Sequence, residues 1–315
     1  MDIGPHVFPT VKYKLIKDRI LKDKKLSAKI EFIEPGHASE EDMLLVHEES
    51  YLDKLKNAKL SLQEILTLEL PYSKELVTSS ILCCGGTILA AEKSLEDKIG
   101  IHLGGGFHHA FPDHGEGFCV LNDIAVAIKK IKNQKSPPTQ RRNTTHGGSA
   151  EAQGEKAEKV KRALIIDCDL HQGNGTAYIF RNDKDVFTFS IHQENNYPFY
   201  KPAGDLDIGL PDRTKDNVYI GHMEKHIPKI ISDFKPDFIM YVAGADPYEN
   251  DQIGNLGLTI DGLRKRDEFI FLQGRNYGIP VSVVLAGGYA YRQEDTVEIH
   301  FNTVKAGVEI LGNGV

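Results

Sequence analysis

Residues 163–175 read ALIIDCDLHQGNG, a short apolar run that breaks into acids, a histidine and glycines. A run this short and this rich in branched aliphatic side chains suits a buried strand better than a helix. Similar runs occur at 99–103, 186–191, 238–243 and 281–285. Between them lie stretches with helical spacing, at 40–60, 73–95, 123–131, 218–234 and 262–277. Apolar strands separated by helices predict an open, mostly parallel α/β sheet with helices on both faces.

The unusual polar residues fall where the strands end. The first run enters Gly104-Gly105-Gly106-Phe107-His108-His109, and the second enters Asp167-Cys168-Asp169-Leu170-His171. The run at 238–243 ends in Gly244-Ala245-Asp246, and the last ends in Gly287-Gly288-Tyr289. Ligands of open α/β sheets collect beyond the carboxyl ends of the strands, so these clusters are expected to share one cleft. Alternate residues of extended chain face one side, which sends Asp167, Asp169 and His171 the same way. With Asp246 the set becomes two carboxylates and an imidazole, the pattern of a catalytic metal centre with an open position. Singly, each piece has a plainer reading: a hydrogen-bonded turn, a cap, or a satisfied histidine pair. Their coincidence at strand ends is what favours the metal. In such a cleft a histidine at His108-His109 would move protons, with Asp167 and Asn174 as candidate orienting partners, and the Tyr289 phenol would stabilise an oxyanion.

The strings HLGGGFHHAFPDHGEGFCVLNDIAVAI from His102, IIDCDLHQGNGT from Ile165, AGADPYENDQIGNLGLT from Ala243 and AGGY from Ala286 resemble the histone deacetylase superfamily in order and spacing. The arginase/deacetylase fold is what that likeness implies. GHASEEDMLLVHEESYLDKLK from Gly36, with Asn174 in the GNGT string, is most similar to class IV deacetylases and their bacterial relatives. The resemblance implies Zn2+ on Asp169, His171 and Asp246, with Fe2+ as the alternative, since two carboxylates and one histidine suit both. It implies His109 as general acid–base paired with Asn174, His108 paired with Asp167, and Tyr289 polarising the scissile carbonyl. Gly117 and Phe118 would line an acyl tunnel, with Phe199 on the opposite wall. A structural K+ would sit on Asp167, Asp169, His171, Ser190 and Ile191. The expected reaction is hydrolysis of an N-acyl amide, on an acylated lysine in a peptide or protein, or on a small acylated amine such as an acetylpolyamine.

Two departures stand out. The chain opens at Asp2-Ile3-Gly4-Pro5-His6, where the family carries a strand and short loop, so a shortened rim is expected. The stretch 132–161, with Pro137, Pro138, Arg141, Arg142, Gly147 and Gly148, reads as a surface insertion in one catalytic domain spanning 1–315. A rival reading is a binuclear manganese hydrolase of the arginase type. It needs further bridging carboxylates, and position 173, where one would help, is glycine. A degenerate acyl-lysine binding module would have lost a ligand, the histidine pair or the tyrosine, and this chain keeps them all.

A net charge of −7 gives no general reason to bind nucleic acid. No run approaches the roughly 18 apolar residues of a membrane span, and the start of the chain lacks signal-peptide features. The cysteines, Cys83, Cys84, Cys119 and Cys168, show no CxxC spacing and fit a reducing cytoplasm. Oligomeric state leaves no signature in the sequence.

Overall fold

The computed structural model describes residues 6–8, 10–133 and 160–312. In chain order, the helices before the sheet are α1 (Lys12–Lys22), α2 (Lys24–Ser27), α3 (Glu40–Met43), α4 (Glu49–Lys56), α5 (Leu62–Leu68) and α6 (Lys74–Asp97). Then follow β1 (Ile99–His102), α7 (Asp123–Asn133), β2 (Ala163–Asp167), α8 (Asn174–Phe180), β3 (Val186–Gln193) and β4 (Leu206–Leu210). The chain ends with α9 (Asp216–Phe234), β5 (Phe238–Val242), α10 (Ile260–Tyr277), β6 (Val281–Val284) and α11 (Gln293–Ile310).

Among the described residues, six strands, all parallel, lie in the order β1-β6-β5-β2-β3-β4. The period of two in each strand divides the core between the faces. Leu164 and Ile166 of β2, with Ile239 and Tyr241 of β5, belong to one apolar cluster. Ala163 and Ile165, with Phe238, Met240 and Val242, belong to the other. Each face therefore needs helices, and the sheet is the open, doubly covered one expected. The chain runs outward from β2 through β3 to β4, then returns to place β5 on the other side of β2. The direction of winding thus reverses between β2 and β5, the position where such folds open a crevice.

Each predicted strand is present, within a residue or two of its expected bounds. The sequence reading missed β4, an edge strand whose Leu206-Asp207-Ile208-Gly209-Leu210 is only partly buried. The predicted helix at 40–60 is two helices instead. The Glu48 N–H leaves the helical ladder to donate to Pro112 O at 2.9 Å, and α4 starts at Glu49. The insertion expected at 132–161 falls almost wholly outside the described residues. Its ends are tied down: Lys132 continues α7, and the Lys161 N–H donates to Asp237 at 3.1 Å. By length and composition α6 is apolar enough to cross a membrane, a property the sequence reading did not register. Here it packs on α7, β1 and β6, as a core helix does.

The break between α3 and α4 places His47 in the core. Its Nδ1 donates to Phe111 O at 3.1 Å, and its Nε2 accepts the Asn122 N–H at 3.0 Å. Both nitrogens are used only if the ring is neutral, and burial pulls its pKa down to about 4. A folded pKa below the unfolded value of about 6.5 means that the unfolded chain binds the proton first. The contribution is whole above pH 6.5 and is lost as pH falls towards about 4. His47→Gln is therefore expected to flatten the acid limb of a stability–pH curve, by on the order of 3 kcal/mol between those pH values. Urea titrations at successive pH values measure this, and an unchanged limb in the variant overturns it.

Candidate metal centre and active site

The four polar clusters sit at the ends of β1, β6, β5 and β2, which are consecutive neighbours in the sheet. Asp169 and His171 follow β2, and Asp246 follows β5, so the candidate ligands straddle the crevice. All three are buried, and their ligand atoms lie within 4.8 Å of one another. His171 Nδ1 lies 3.2 Å from Asp169 Oδ1 and 3.5 Å from Asp246 Oδ2. The other carboxylate oxygens are held by backbone. Asp169 Oδ2 accepts from the Gly287 N–H at 3.0 Å, and Asp246 Oδ1 from the Leu170 N–H at 3.0 Å. Asp246 Oδ2 accepts no hydrogen bond although the side chain is fully buried. A buried carboxylate oxygen without a donor is costly unless a cation completes it.

Glycine makes the room for this. A Cβ on Gly287 would come within 2.0 Å of Asp246 Oδ2, and one on Gly244 within 2.7 Å of both carboxylates. Burial opposes a charge on His171, but the facing carboxylates of Asp169, at hydrogen-bond distance, and Asp246, 3.5 Å away, outweigh it and lift the pKa to about 10. Burial and the neighbouring Asp169 raise the Asp246 pKa. The centre is built to concentrate negative charge around one point, which suits a divalent ion.

The histidine pair lies beside it. His108 Nδ1 is 2.7 Å from Asp167 Oδ2, and His109 Nδ1 is 2.7 Å from Asn174 Oδ1. Their Nε2 atoms face each other at 3.1 Å. Burial would keep His108 neutral, yet Asp167 and Asp169 prevail and raise its pKa to about 9. Burial and the two neighbouring histidines push His109 well below the ordinary value. The carboxylates near His108 favour its charged form, whereas burial and the neighbouring histidines favour a neutral His109, the amide behind it bringing no charge to oppose them. The loop carrying them is fixed by Asp123, whose carboxylate accepts from the N–H groups of Gly106 at 3.0 Å and Phe107 at 2.8 Å.

One cavity is lined by Asp169, His171, both histidines and Tyr289, with Gly117 and Phe118 on its wall. Tyr289 is buried with its ring against Phe118 at 6.2 Å. The predicted wall residue Phe199 is not there: it is fully exposed and does not line the cavity. Tyr197 takes the place. The Tyr197 hydroxyl is drawn inward onto Glu116 at 2.8 Å, while Lys201 Nζ ties the carbonyls of Asn196 and Pro198 at 2.6 Å each. That tight turn leaves Phe199 outside. Phe8, from the stretch before α1, also lines the cavity. Of the residues expected to hold K+, Asp167 and Ser190 are register partners on β2 and β3, and Ile191 follows on β3.

Sequence reasoning also missed Lys12, Glu116, and the pair Arg266–Asp267. Lys12 is fully buried, donates to Ala286 O at 2.7 Å and sits 5.6 Å from the Tyr289 ring centroid. Burial lowers its pKa to about 8, against the opposing pull of Asp246, Asp169 and Asp251. Arg266 Nη1 donates to Gly244 O at 2.7 Å and Cys168 O at 3.2 Å, tying together the two loops that carry Asp169 and Asp246, the candidate ligand carboxylates. Its own charge is balanced by Asp267, which accepts from Thr303 at 2.6 Å.

The family model for the histone deacetylase domain matches residues 6–140 and 149–304. An uncharacterized protein of a Picosynechococcus species is 35% identical over 295 residues, covering 94% of this chain and 90% of that one. Histone deacetylase 2 of Arabidopsis thaliana is 30% identical over 285 residues, covering 87% of this chain and 66% of that one. The acetoin utilization protein AcuC of Staphylococcus aureus is 28% identical over 305 residues, covering 90% and 72%. Among solved structures, a histone deacetylase homologue from Aquifex aeolicus superposes with a TM-score of 0.76 at 23% identity, covering 99% of this chain and 81% of that one. A homologue complexed with SAHA superposes at 0.74 and 22% identity, covering 98% and 84%. At such identities the superpositions speak for the fold alone.

Proposed function

The chain belongs to the histone deacetylase family, and from that premise we propose that it is a metal-dependent deacylase cleaving N-acyl amides, with acyl-lysine as the preferred substrate class. The observation that carries this reading is the buried Asp169–His171–Asp246 cluster, of which Asp169 and His171 line a cavity that also holds His108, His109 and Tyr289. Zn2+ is the ion we favour, with Fe2+ satisfied by the same donors. When bound, the ion would supply a Lewis acid that polarises the acyl carbonyl and lowers the pKa of water.

The side chains do the rest. Neutral His109 accepts the proton of the attacking water at Nε2, while Asn174 holds the proton on Nδ1. His108, anchored on Asp167, keeps a positive charge beside the developing oxyanion. The Tyr289 hydroxyl donates to that oxyanion. His109 then returns the proton to the leaving amine, releasing a carboxylate and a free amine. K+ on Asp167, Asp169, His171, Ser190 and Ile191 would brace the end of β2. We read 1–315 as one catalytic domain, and the free cysteines fit a reducing cytoplasm.

The binuclear manganese alternative meets a steric objection at position 173. A Cβ on Gly173 would lie 2.5 Å from Asp167 Oδ2 and 3.1 Å from His108, so a carboxylate there has no room without breaking that pair. The apolar wall of Phe8, Phe118, Tyr197 and Ile253 suits an aliphatic chain reaching in from lysine or an amine.

The test is a panel of lysine peptides acylated from acetyl to myristoyl, with acetylpolyamines alongside, assayed with and without chelator. Chelator-sensitive release from a lysine peptide is the expected result. Release from acetylpolyamines only would move the substrate to small amines. No chelator-sensitive release from any member overturns the proposal, and two transition-metal ions per chain would favour the binuclear reading.

A further inference from the structure

Glu116 precedes the glycine and phenylalanine of the cavity wall and is mostly buried. Its carboxylate does three things at once. Oε1 accepts from Asn174 Nδ2 at 2.8 Å and from the Tyr197 hydroxyl at 2.8 Å. Oε2 lies 3.5 Å from His114 Nε2. The backbone beneath is clamped: the Glu116 N–H donates to Cys119 O at 3.1 Å, and the Cys119 N–H to Glu116 O at 2.9 Å. Burial would protonate the carboxyl, but the hydrogen bonds from His114, Tyr197 and Asn174 outweigh it and hold the pKa low.

An ionised carboxylate only accepts hydrogen bonds. The side of the Asn174 amide facing Glu116 must therefore be its NH2 group, which leaves Oδ1 against His109 Nδ1 at 2.7 Å. An oxygen there requires the proton on Nδ1, and a neutral ring then has its lone pair on Nε2, the nitrogen turned towards His108. Without the carboxylate, a half-turn of the amide would present NH2 to Nδ1 and favour the opposite tautomer, whose Nε2 carries hydrogen and cannot act as a base. The second bond of Glu116 fixes the facing wall. The Tyr197 ring stands edge-on to His109, centroids 5.0 Å apart and planes at 83°. A Cβ on Gly117 would lie 2.7 Å from that ring and 3.0 Å from His109 Cδ2, so the three residues are packed as one piece.

We propose that Glu116 is a positioning residue that sets the tautomer of His109 through Asn174 and fixes the adjacent cavity wall through Tyr197. This rests on the reading of His109 as the base. It also supplies the negative charge that the neutral Asn174 lacks, one hydrogen bond further from the ring.

The experiment compares the wild-type holoenzyme with Glu116→Ala, Glu116→Gln and Tyr197→Phe. The first measurement is 15N NMR of histidine-labelled protein, with the His109 signals identified by their loss in His109→Gln. Wild type is expected to show an Nδ1–H ring, and Glu116→Ala a shift towards Nε2–H. Glu116→Gln keeps an acceptor oxygen for Asn174 and is expected to retain the wild-type tautomer, as is Tyr197→Phe. The second measurement is turnover of an acyl-lysine peptide. Glu116→Ala is expected to lose about ten- to a hundredfold in kcat with KM within about threefold and metal content unchanged. Glu116→Gln recovers most of it. An Ala variant with wild-type His109 signals overturns the proposal, whatever its kcat. The NMR result needs no turnover, so a wild type inactive on every acyl substrate would sink the proposed function and leave this inference standing on its own measurement.

Discussion

Asp246→Ala is expected to abolish tight metal binding and acyl-amide hydrolysis together. The side chain is fully buried between the ends of β5 and β2, and one of its oxygens has no hydrogen-bond donor. Removing it leaves Asp169 and His171 alone on one side of the crevice. Changes to residues that merely orient a metal ligand commonly cost about 10–100-fold in affinity, and loss of a ligand should exceed that. Chelator competition and metal analysis read the effect. Thermal stability gives an independent reading, because an ion that binds only the folded state stabilises it. Adding Zn2+ after chelator treatment should raise the melting temperature of the wild type and leave Asp246→Ala unmoved. Gly287→Ala sharpens the test. It removes no ligand, yet its Cβ would fall 2.0 Å from Asp246 Oδ2 and 2.7 Å from Asp169 Oδ2. It should weaken binding while leaving all three donors in the sequence. Asp246→Ala protein that keeps wild-type metal content and affinity would overturn the assignment of the centre.

What the sequence made legible follows from local physics. Runs such as ALII and FIMYV lack charged residues because both faces of the sheet are covered, and they stop where the chain meets the crevice. Asp169, His171, Asp246, His108, His109 and Tyr289 could therefore be placed by their position after a strand. Glu116 and Tyr197 could not, because their bond joins residues 81 positions apart and no period links them. Phe199, which the resemblance implied for the wall, and Tyr197, which lines the cavity, are both aromatic and two residues apart. Only the Tyr197–Glu116 bond and the Lys201 turn separate them. Arg266–Asp267 did carry a signal. Leu263, Ile270, Phe271 and Gly274 mark the buried face of α10, and the helical period puts 266 and 267 on that same stripe. A charged pair inside an apolar stripe calls for a buried partner, here the carbonyls of Cys168 and Gly244, which closely precede Asp169 and Asp246 in the chain.

Tyr289→Phe tests the chemistry rather than the metal. The backbone around this residue is held without help from the phenol. The Tyr289 N–H donates to Asp251 Oδ2 at 2.7 Å, and its carbonyl accepts from Gln252 Nε2 at 2.8 Å. Gly288, at φ 145°, turns the chain into the cavity, and Lys12 secures the Ala286 carbonyl just before it. The ring packs on Phe8 and Phe118. Phenylalanine should therefore occupy the same place, and only the hydroxyl is lost. Burial, then the charges of Asp246 and Asp169, push the phenol pKa well above its ordinary value, which keeps the hydroxyl protonated and able to donate. Such a group has most to gain when the acyl oxygen becomes an anion. Removing one donor of this kind typically costs about 10²–10³ in kcat, or about 3–4 kcal/mol of transition-state stabilisation. The expected outcome is that loss, with KM changed little and metal content equal to wild type. The KM criterion separates this role from ground-state binding, since a uniform binding contact would raise KM and spare kcat. A Tyr289→Phe enzyme with wild-type kcat would remove the phenol from the reaction and leave the polarisation of the carbonyl to the metal centre and His108.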